Sequence, residues 1–448
     1  MARWSEIAAI RFGTGLSPAA SPPASAADLL DDLADDPLAA AYPVMRTPQA
    51  MALGAAFAQE KKAAKDDPGA AKGMGLDLRQ AAMRGLAATL ARGIAASTGF
   101  RERLTWFWAG HFTVAPRNAA AIALAPAFVE DAIRPHVSGR FADMLRAAVT
   151  HPAMILYLDQ ARSMGPNSQV AALRGGGLNE NLAREVLELH TLGVGGGYTQ
   201  EDVRQFAELL TGLSVSEEGM QFRPRMAEPG PETILGRRWG GDPARIGHIA
   251  AFLDDLAVRP ETARHVARRL AVHFTADEPD AALVGALADR FMRTGGDLPA
   301  VYEVLIGHRA AIADFGAKVR QPFDLIVAAL RALGAPPDQV AGVAAPVLRR
   351  AVTEPLKAMG QPWMQAPGPD GWPEEAAAWI TPPRLSARID WAMQAPRRLV
   401  DPLPDPREFV GTALGGIAGE ALGLAASRAE SPADGVGLVL ASPAFNRR

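Results

Sequence analysis

The chain predicts a mostly α-helical, multi-helix globular protein with one small β-hairpin near residues 220–236. Three observations lead there. Apolar residues recur near helical spacing along most of the 448 residues, and short glycine- and proline-rich breaks separate these stretches. Only the segment 214–239 loses the helical period and offers extended runs. An apolar fraction of 48% supplies sizeable cores, and a charged fraction of 21% argues against disorder.

Taken in order, residues 1–25 read as a tether ending in a proline-rich loop, followed by short helices at 28–38 and 48–62 and a charged linker at 61–75. A long helix is expected over 76–97, with Leu76, Leu78, Ala82, Leu86 and Leu90 near helical spacing. The Thr98-Gly99 break separates it from a helix over 100–112, FRERLTWFWAGHF. Helices at 118–136 and 140–160 follow, with Pro152 kinking or restarting the second. A polar loop, 163–177, leads into the stretch 177–202, GLNENLAREVLELHTLGVGGGYTQED. Thr199 caps the next helix, with Asp202 at its third position as in a capping box. Within 214–239, residues 220–224 and 233–236 are the extended pieces that would pair. Helices resume at 243–256, 260–274, 280–294, 297–306, 321–333 and 344–356. The segment 361–391 holds four of the eight tryptophans among six prolines, the composition of a lid or clasp over a neighbouring surface. Helices at 407–425 and 434–440 finish the chain. The resulting blocks are 1–75, the helical core 76–213, the insertion 214–240 and the C-terminal region 241–448.

Composition removes several function classes. A net charge of −3 gives no electrostatic case for nucleic acid. The absence of cysteine excludes disulfides, thiolate nucleophiles and cysteine-held zinc or iron–sulfur centres. No GxSxG elbow is present, which disfavours a serine hydrolase. The N-terminal residues hold no apolar run long enough for a signal-peptide core, and no window makes a membrane span of about 20 residues, so the expectation is a soluble cytoplasmic protein. Lysine is scarce and arginine abundant, which reads as codon bias and carries no functional conclusion.

The densest polar chemistry lies in 179–190. On a wheel of 3.6 residues per turn, Glu180, Asn181, Arg184, Glu185, Glu188 and Thr191 share one broad face. Leu182, Val186 and Leu189 take the other, with Asn179 and His190, while Leu187 sits at the border. Glu188 and His190 therefore diverge, and an adjacent Glu-x-His metal pair fails. Glu185 and Glu188, three apart, share a face, as paired ligands or acid–base groups on one helix must. Glu180–Arg184–Glu188 forms an i, i+4 ladder. That face is either a solvated ladder worth about 0.2–0.5 kcal/mol per pair or the wall of a polar pocket in which Arg184 orients the carboxylates or holds an anion. His190 is a core histidine bonded to a carbonyl, or a ligand. His111, among aromatic residues, is a satisfied core residue or a poised base. Asp159, past the apolar run MILYLD, is a cap or ion-pair partner, or a further ligand. The triple glycine 195–197 follows a helix rather than a strand and reads as a C-cap and turn, not a phosphate loop.

The run NENLAREVLELHTLGVGGGYTQEDV resembles the signature of the bacterial DUF1800 family, whose function is not established. FWAGHFTV (107–114), HPAMILYLDQARSMGPNS (151–168), FRPRMAEPGPETILG (222–236), KVRQPFDLIVAALRALG (318–334), GQPWMQAPGPDGWPEEAAAWI (360–380) and LASPAFNRR (440–448) resemble it too, in order over nearly the whole chain. The resemblance implies a shared role for Asn179, Glu180, Asn181, Arg184, Glu185, Glu188 and His190. It further implies export in some members and a partnership with a sulfatase-like DUF1501 protein. The chain departs from the pattern at Ala109-Gly110, where many members look like FWHNHF, and at Ala227-Glu228, where a histidine often stands. Two functions then compete. One is an enzyme in which Glu185 and Glu188 are acid–base groups or, with His111 and Asp159, ligands of Mg²⁺, Mn²⁺ or iron, oriented by Arg184. The other is a non-catalytic accessory protein whose polar network is structural.

Overall fold

The computed structural model describes residues 3–63, 71–313 and 315–448. Helices dominate, and the strands form two antiparallel two-stranded sheets among the described residues. The helix Phe100–His111 runs through the centre of the larger core, with Phe100, Leu104, Phe107, Trp108 and Phe112 all buried. Its aromatic rings pack edge-on or stacked against Phe274, Tyr302 and Phe141, and the Trp108 indole N–H donates to the Tyr302 hydroxyl at 2.7 Å. A second core forms around the helix Pro322–Ala332, whose residues are all buried, against Leu86 and Leu90 of the helix Ala71–Ala95 and against Trp391 and Val436.

Residues 3–25 do not form a tether. Trp4–Arg11 is a helix whose Ala8, Ala9, Ile10 and Arg11 are buried, and Phe12 is fully enclosed beside Phe100 and Phe274. The segment carries too few apolar residues to show a helical stripe, and long-range contacts order it. Most of the expected linker 61–75 lies outside the described residues, and the flanking helices Thr47–Ala63 and Ala71–Ala95 run up to it.

The segment 214–239 does not pair its two extended pieces with each other. Leu213–Ser216 (β1) pairs with Gly219–Phe222 (β2), and Gly230–Ile234 (β3) pairs with Arg237–Gly241 (β4). Each is a local hairpin with a tight turn, and Gly219 and Gly236 supply positive φ there. The β3–β4 hairpin is anchored to the helix Gln200–Leu209 at three points, one of them the Thr233 N–H donating to Gln205 Oε1 at 3.0 Å. Asp202 Oδ1 accepts the Leu235 N–H at 2.6 Å while its other oxygen closes the expected capping box with Thr199. Glu232, 7% exposed, faces Glu208 and Glu228, and burial together with these like charges holds its pKa well above the usual carboxylate range.

A raised folded-state value means that the fold keeps a proton the unfolded chain releases. This contribution is therefore complete below pH 4.5, the ordinary value for glutamate, and is lost as pH rises through the raised folded-state value. In that window wild-type stability falls relative to Glu232→Gln by up to about 1.4 kcal/mol per pH unit. Paired urea titrations at pH 5, 7 and 9 should show the two proteins diverging upward in pH, and parallel curves would refute the assignment.

Candidate functional site

The polar stretch begins with three bonds from two side chains. Ser163 Oγ accepts the Asn179 N–H, Asn179 Nδ2 donates to the Leu158 carbonyl, and Asn179 Oδ1 accepts the Asn181 N–H, all at 2.9–3.0 Å. Asn179 thus fastens the start of the helix to the turn after Tyr157. Asn181–Glu185 is α-helical, but Val186–His190 widens into a π-helical turn. Thr191 Oγ1 closes that turn on the Val186 carbonyl at 2.6 Å. A π turn leaves carbonyls without helical partners, and such turns recur at functional sites.

Two imidazoles take up those carbonyls. His111 Nε2 lies 3.0 Å from the His190 carbonyl and His265 Nε2 lies 2.8 Å from that of Leu189. A carbonyl only accepts, so each ring carries its proton on Nε2. His190 itself is 1% exposed, packs on Phe112, and has no hydrogen bond from either ring nitrogen among the described residues. The expectation that its ring bonds a carbonyl is corrected: its own carbonyl receives another histidine. Burial pushes His190 down to about 3 and His111 well below the ordinary imidazole value, with His265 and Arg269 adding to both shifts.

The carboxylates lie elsewhere. Arg184 links Glu180 at 3.0 Å, Glu188 at 3.5 Å and the Gln200 side chain at 3.1 Å, and Gln200 donates to Glu180. This ladder is about one-third exposed, at 36%, 31% and 27% for Arg184, Glu180 and Glu188. Tyr198 leans on Glu188; burial and that carboxylate raise its phenol. Glu185 differs from its neighbours. It is half-buried and has no hydrogen bond or ion pair among the described residues. Burial, then Glu188 and Asp370, raise its pKa, with Arg184 opposing.

Asp370 comes from the tryptophan- and proline-rich segment, which does fold over its neighbours. Gly371, at φ 83°, lies on the Gly110 carbonyl so closely that a Cβ would not fit. Tyr157 faces Glu185 and Asp370 as well, and its phenol is raised by burial and by these charges. The Arg117 guanidinium stands 5.2 Å from the Tyr157 ring centre and pairs with Asp159 at 2.8 Å. Asp159 is thereby an exposed ion-pair partner, held at positive φ (56°). Arg117, Tyr157, Asp159 and Arg162 border a groove of about 500 Å³. Sequence reasoning missed Asp370, Tyr157 and Arg117; the Pro-Asp-Gly turn at 369–371 was the one local signal available.

The expected ligand set therefore divides. His111 keeps company with His190 and His265, Asp159 with Arg117, and Glu185 with Glu188 and Asp370. Among the described residues, no trio of histidine, aspartate and glutamate side chains is arranged to hold a metal ion. At Ala227-Glu228, Ala227 is buried and Glu228 accepts from the Asn167 N–H at 2.9 Å and from its side-chain amide, fixing the 163–177 loop.

The buried histidines set an acid limit on the fold. His190, at about 3, and His151, lowered by burial to about 4, stay neutral when folded but take up protons near 6.5 when unfolded. Their contribution is complete above pH 6.5 and is lost as pH falls, at about 1.4 kcal/mol per pH unit for each histidine until its folded value is reached. Urea unfolding between pH 7 and 4.5 measures the slope, and His190→Gln should flatten it by about one proton. An unchanged slope in that variant would sink the attribution.

No helix among the described residues is long and apolar enough to cross a membrane. No curated protein and no solved structure is matched by the chain. A family model described as a protein of unknown function (DUF1800) matches residues 7–447, which takes in every element of the site just described. The chain belongs to the DUF1800 family.

Proposed function

We propose that this protein is a hydrolytic enzyme that uses Glu185 as general acid and Glu188 as general base on a polar substrate lying along the adjoining groove. The observation that carries the reading is Glu185: a half-buried carboxylate without hydrogen bond or ion pair among the described residues, beside two further carboxylates that raise its pKa. A carboxyl group kept protonated above its ordinary range can donate to a leaving group. Glu188, paired with Arg184 at 3.5 Å, would take the proton from water. Arg117 and Tyr157, on the groove wall, would contact the substrate, and Asp370 acts by raising Glu185. Among the described residues the histidine and carboxylate donors do not gather around one point as metal ligands would.

A second, non-catalytic reading is favoured by the ladder itself. Arg184 divides its donors among Glu180, Glu188 and Gln200, an arrangement that also suits a purely structural surface network.

Hydrolysis of p-nitrophenyl acetate, phosphate and glycosides by purified protein separates the two. The enzymatic reading expects turnover of at least one, reduced about 10²-fold or more in Glu185→Gln. It also expects a rate that declines as pH rises through the raised value of Glu185 and loses that limb in the variant. No turnover across the panel, or equal turnover in Glu185→Gln, favours the structural reading.

A further inference from the structure

A second site lies beneath the same tryptophan- and proline-rich segment, where a cavity of about 110 Å³ sits between the two cores. Its walls are aromatic. Trp106 stands edge-on to Phe323 at 4.9 Å, Phe323 lies 4.9 Å from Trp363, and Trp372 also faces the space. Ala109 contributes a small side chain to the lining. The indole N–H groups of Trp106 and Trp363 have no hydrogen-bond partner among the described residues.

One end of the lining is cationic. Arg103 and Arg448, both under 2% exposed, meet at Asp324, which Arg320 also contacts at 3.1 Å. Asp324 Oδ2 touches Arg103 Nη1 and lies 3.4 Å from Arg448 Nη1, while the Nη2 groups of these arginines lie 3.3 Å from His273 Nε2 and 3.1 Å from the His273 carbonyl. The Nε donors of both arginines are buried without hydrogen-bond partners among the described residues. Other charges at this cavity are matched: Arg92 is forked onto Glu130, and Arg134 onto Glu102 and Asp36. Around Asp324, one carboxylate faces three guanidinium groups. Buried guanidinium donors are costly unless an acceptor meets them, and a planar carboxylate meets a guanidinium fork best.

The geometry points to a binding site for a small aromatic carboxylate, its acid group on Arg103 and Arg448 and its ring among Trp106, Phe323 and Trp363. Size and wall chemistry choose this class. An apolar cavity on the order of 150 Å³ accepts benzene, so about 110 Å³ limits the ligand to a single ring, and the choice of a carboxylate rests on the wall chemistry. Inorganic phosphate would match the arginines but leave the aromatic walls unmatched. The inference stands apart from the catalytic reading, since Glu185 does not line this cavity.

Calorimetric titration of the full chain with benzoate, backed by tryptophan fluorescence, is the test. Saturable one-to-one binding is expected, with benzamide and inorganic phosphate each at least about tenfold weaker, because the acid group and the ring both contribute. Arg448→Gln should weaken benzoate by a similar factor. Because that change disturbs a buried ion cluster, Ala109→Leu gives an independent check: it fills the cavity, leaves every charge in place, and should abolish binding with the circular dichroism spectrum unchanged. Glu185→Gln should bind as wild type. Absence of saturable benzoate binding overturns the proposal, as does equal affinity for benzamide or an unaffected Ala109→Leu.

Discussion

The fold depends on buried arginine. Arg331, inside the helix Pro322–Ala332, donates to the carbonyls of Gly15, Ile94, Ala96 and Ser97. Those are the open carbonyls at the end of one long helix and in the loop after the N-terminal helix, groups that need partners once buried. Arg101 does the same for the Leu33 carbonyl, Arg92 for Tyr42 while forked onto Glu130, and Arg388 for the Arg320 carbonyl. A guanidinium offers five donors in a fixed plane, so one residue can tie several segments distant in sequence. Removing a carboxylate partner of such a group strands a charge, at about 3–5 kcal/mol. The molecule is thus cross-linked by a residue type usually assigned to surfaces.

That constraint explains what could be read in the sequence and what could not. Long helices with clear apolar spacing, such as Ala71–Ala95 and Pro260–Phe274, are visible because helical packing against a core imposes a period. The capping box at Thr199 and Asp202 is visible because it is local. The burial of Arg11, Arg92, Arg103 and Arg331 is not, since an arginine bonded to distant carbonyls looks like any other arginine. The abundance of arginine over lysine, dismissed as codon bias, fits this use: many of these arginines hold the interior. The N-terminal helix escaped notice for the same reason, its order coming from contacts some 300 residues away.

In the candidate site, the face assignment was legible and the company was not. Glu180, Arg184 and Glu188 form the ladder that their spacing required, and His190 points inward. A uniform wheel could not show the π turn at Val186–His190, because π geometry leaves no mark in apolar periodicity. It is that turn which presents the Leu189 and His190 carbonyls to His265 and His111, so that His111, an expected ligand or base, caps the turn together with His265. Asp370, 182 positions after Glu188, joins the carboxylates only through the path of a long loop, and no spacing rule reaches that far.

That loop joins the two sites physically. Its Asp370 raises Glu185 on one side, while Trp363 and Trp372 wall the cavity on the other. Between them Gly371 rests on the Gly110 carbonyl, and the close approach requires a glycine with positive φ. Ala109 and Gly110 are the two small residues at the point where the resemblance led to an expectation of larger ones. Ala109 borders the cavity, and a Cβ at Gly110 would meet nothing within 4 Å. A bulky side chain at 109 would enter the cavity from the helix Phe100–His111, so the small residue is what leaves room among the rings.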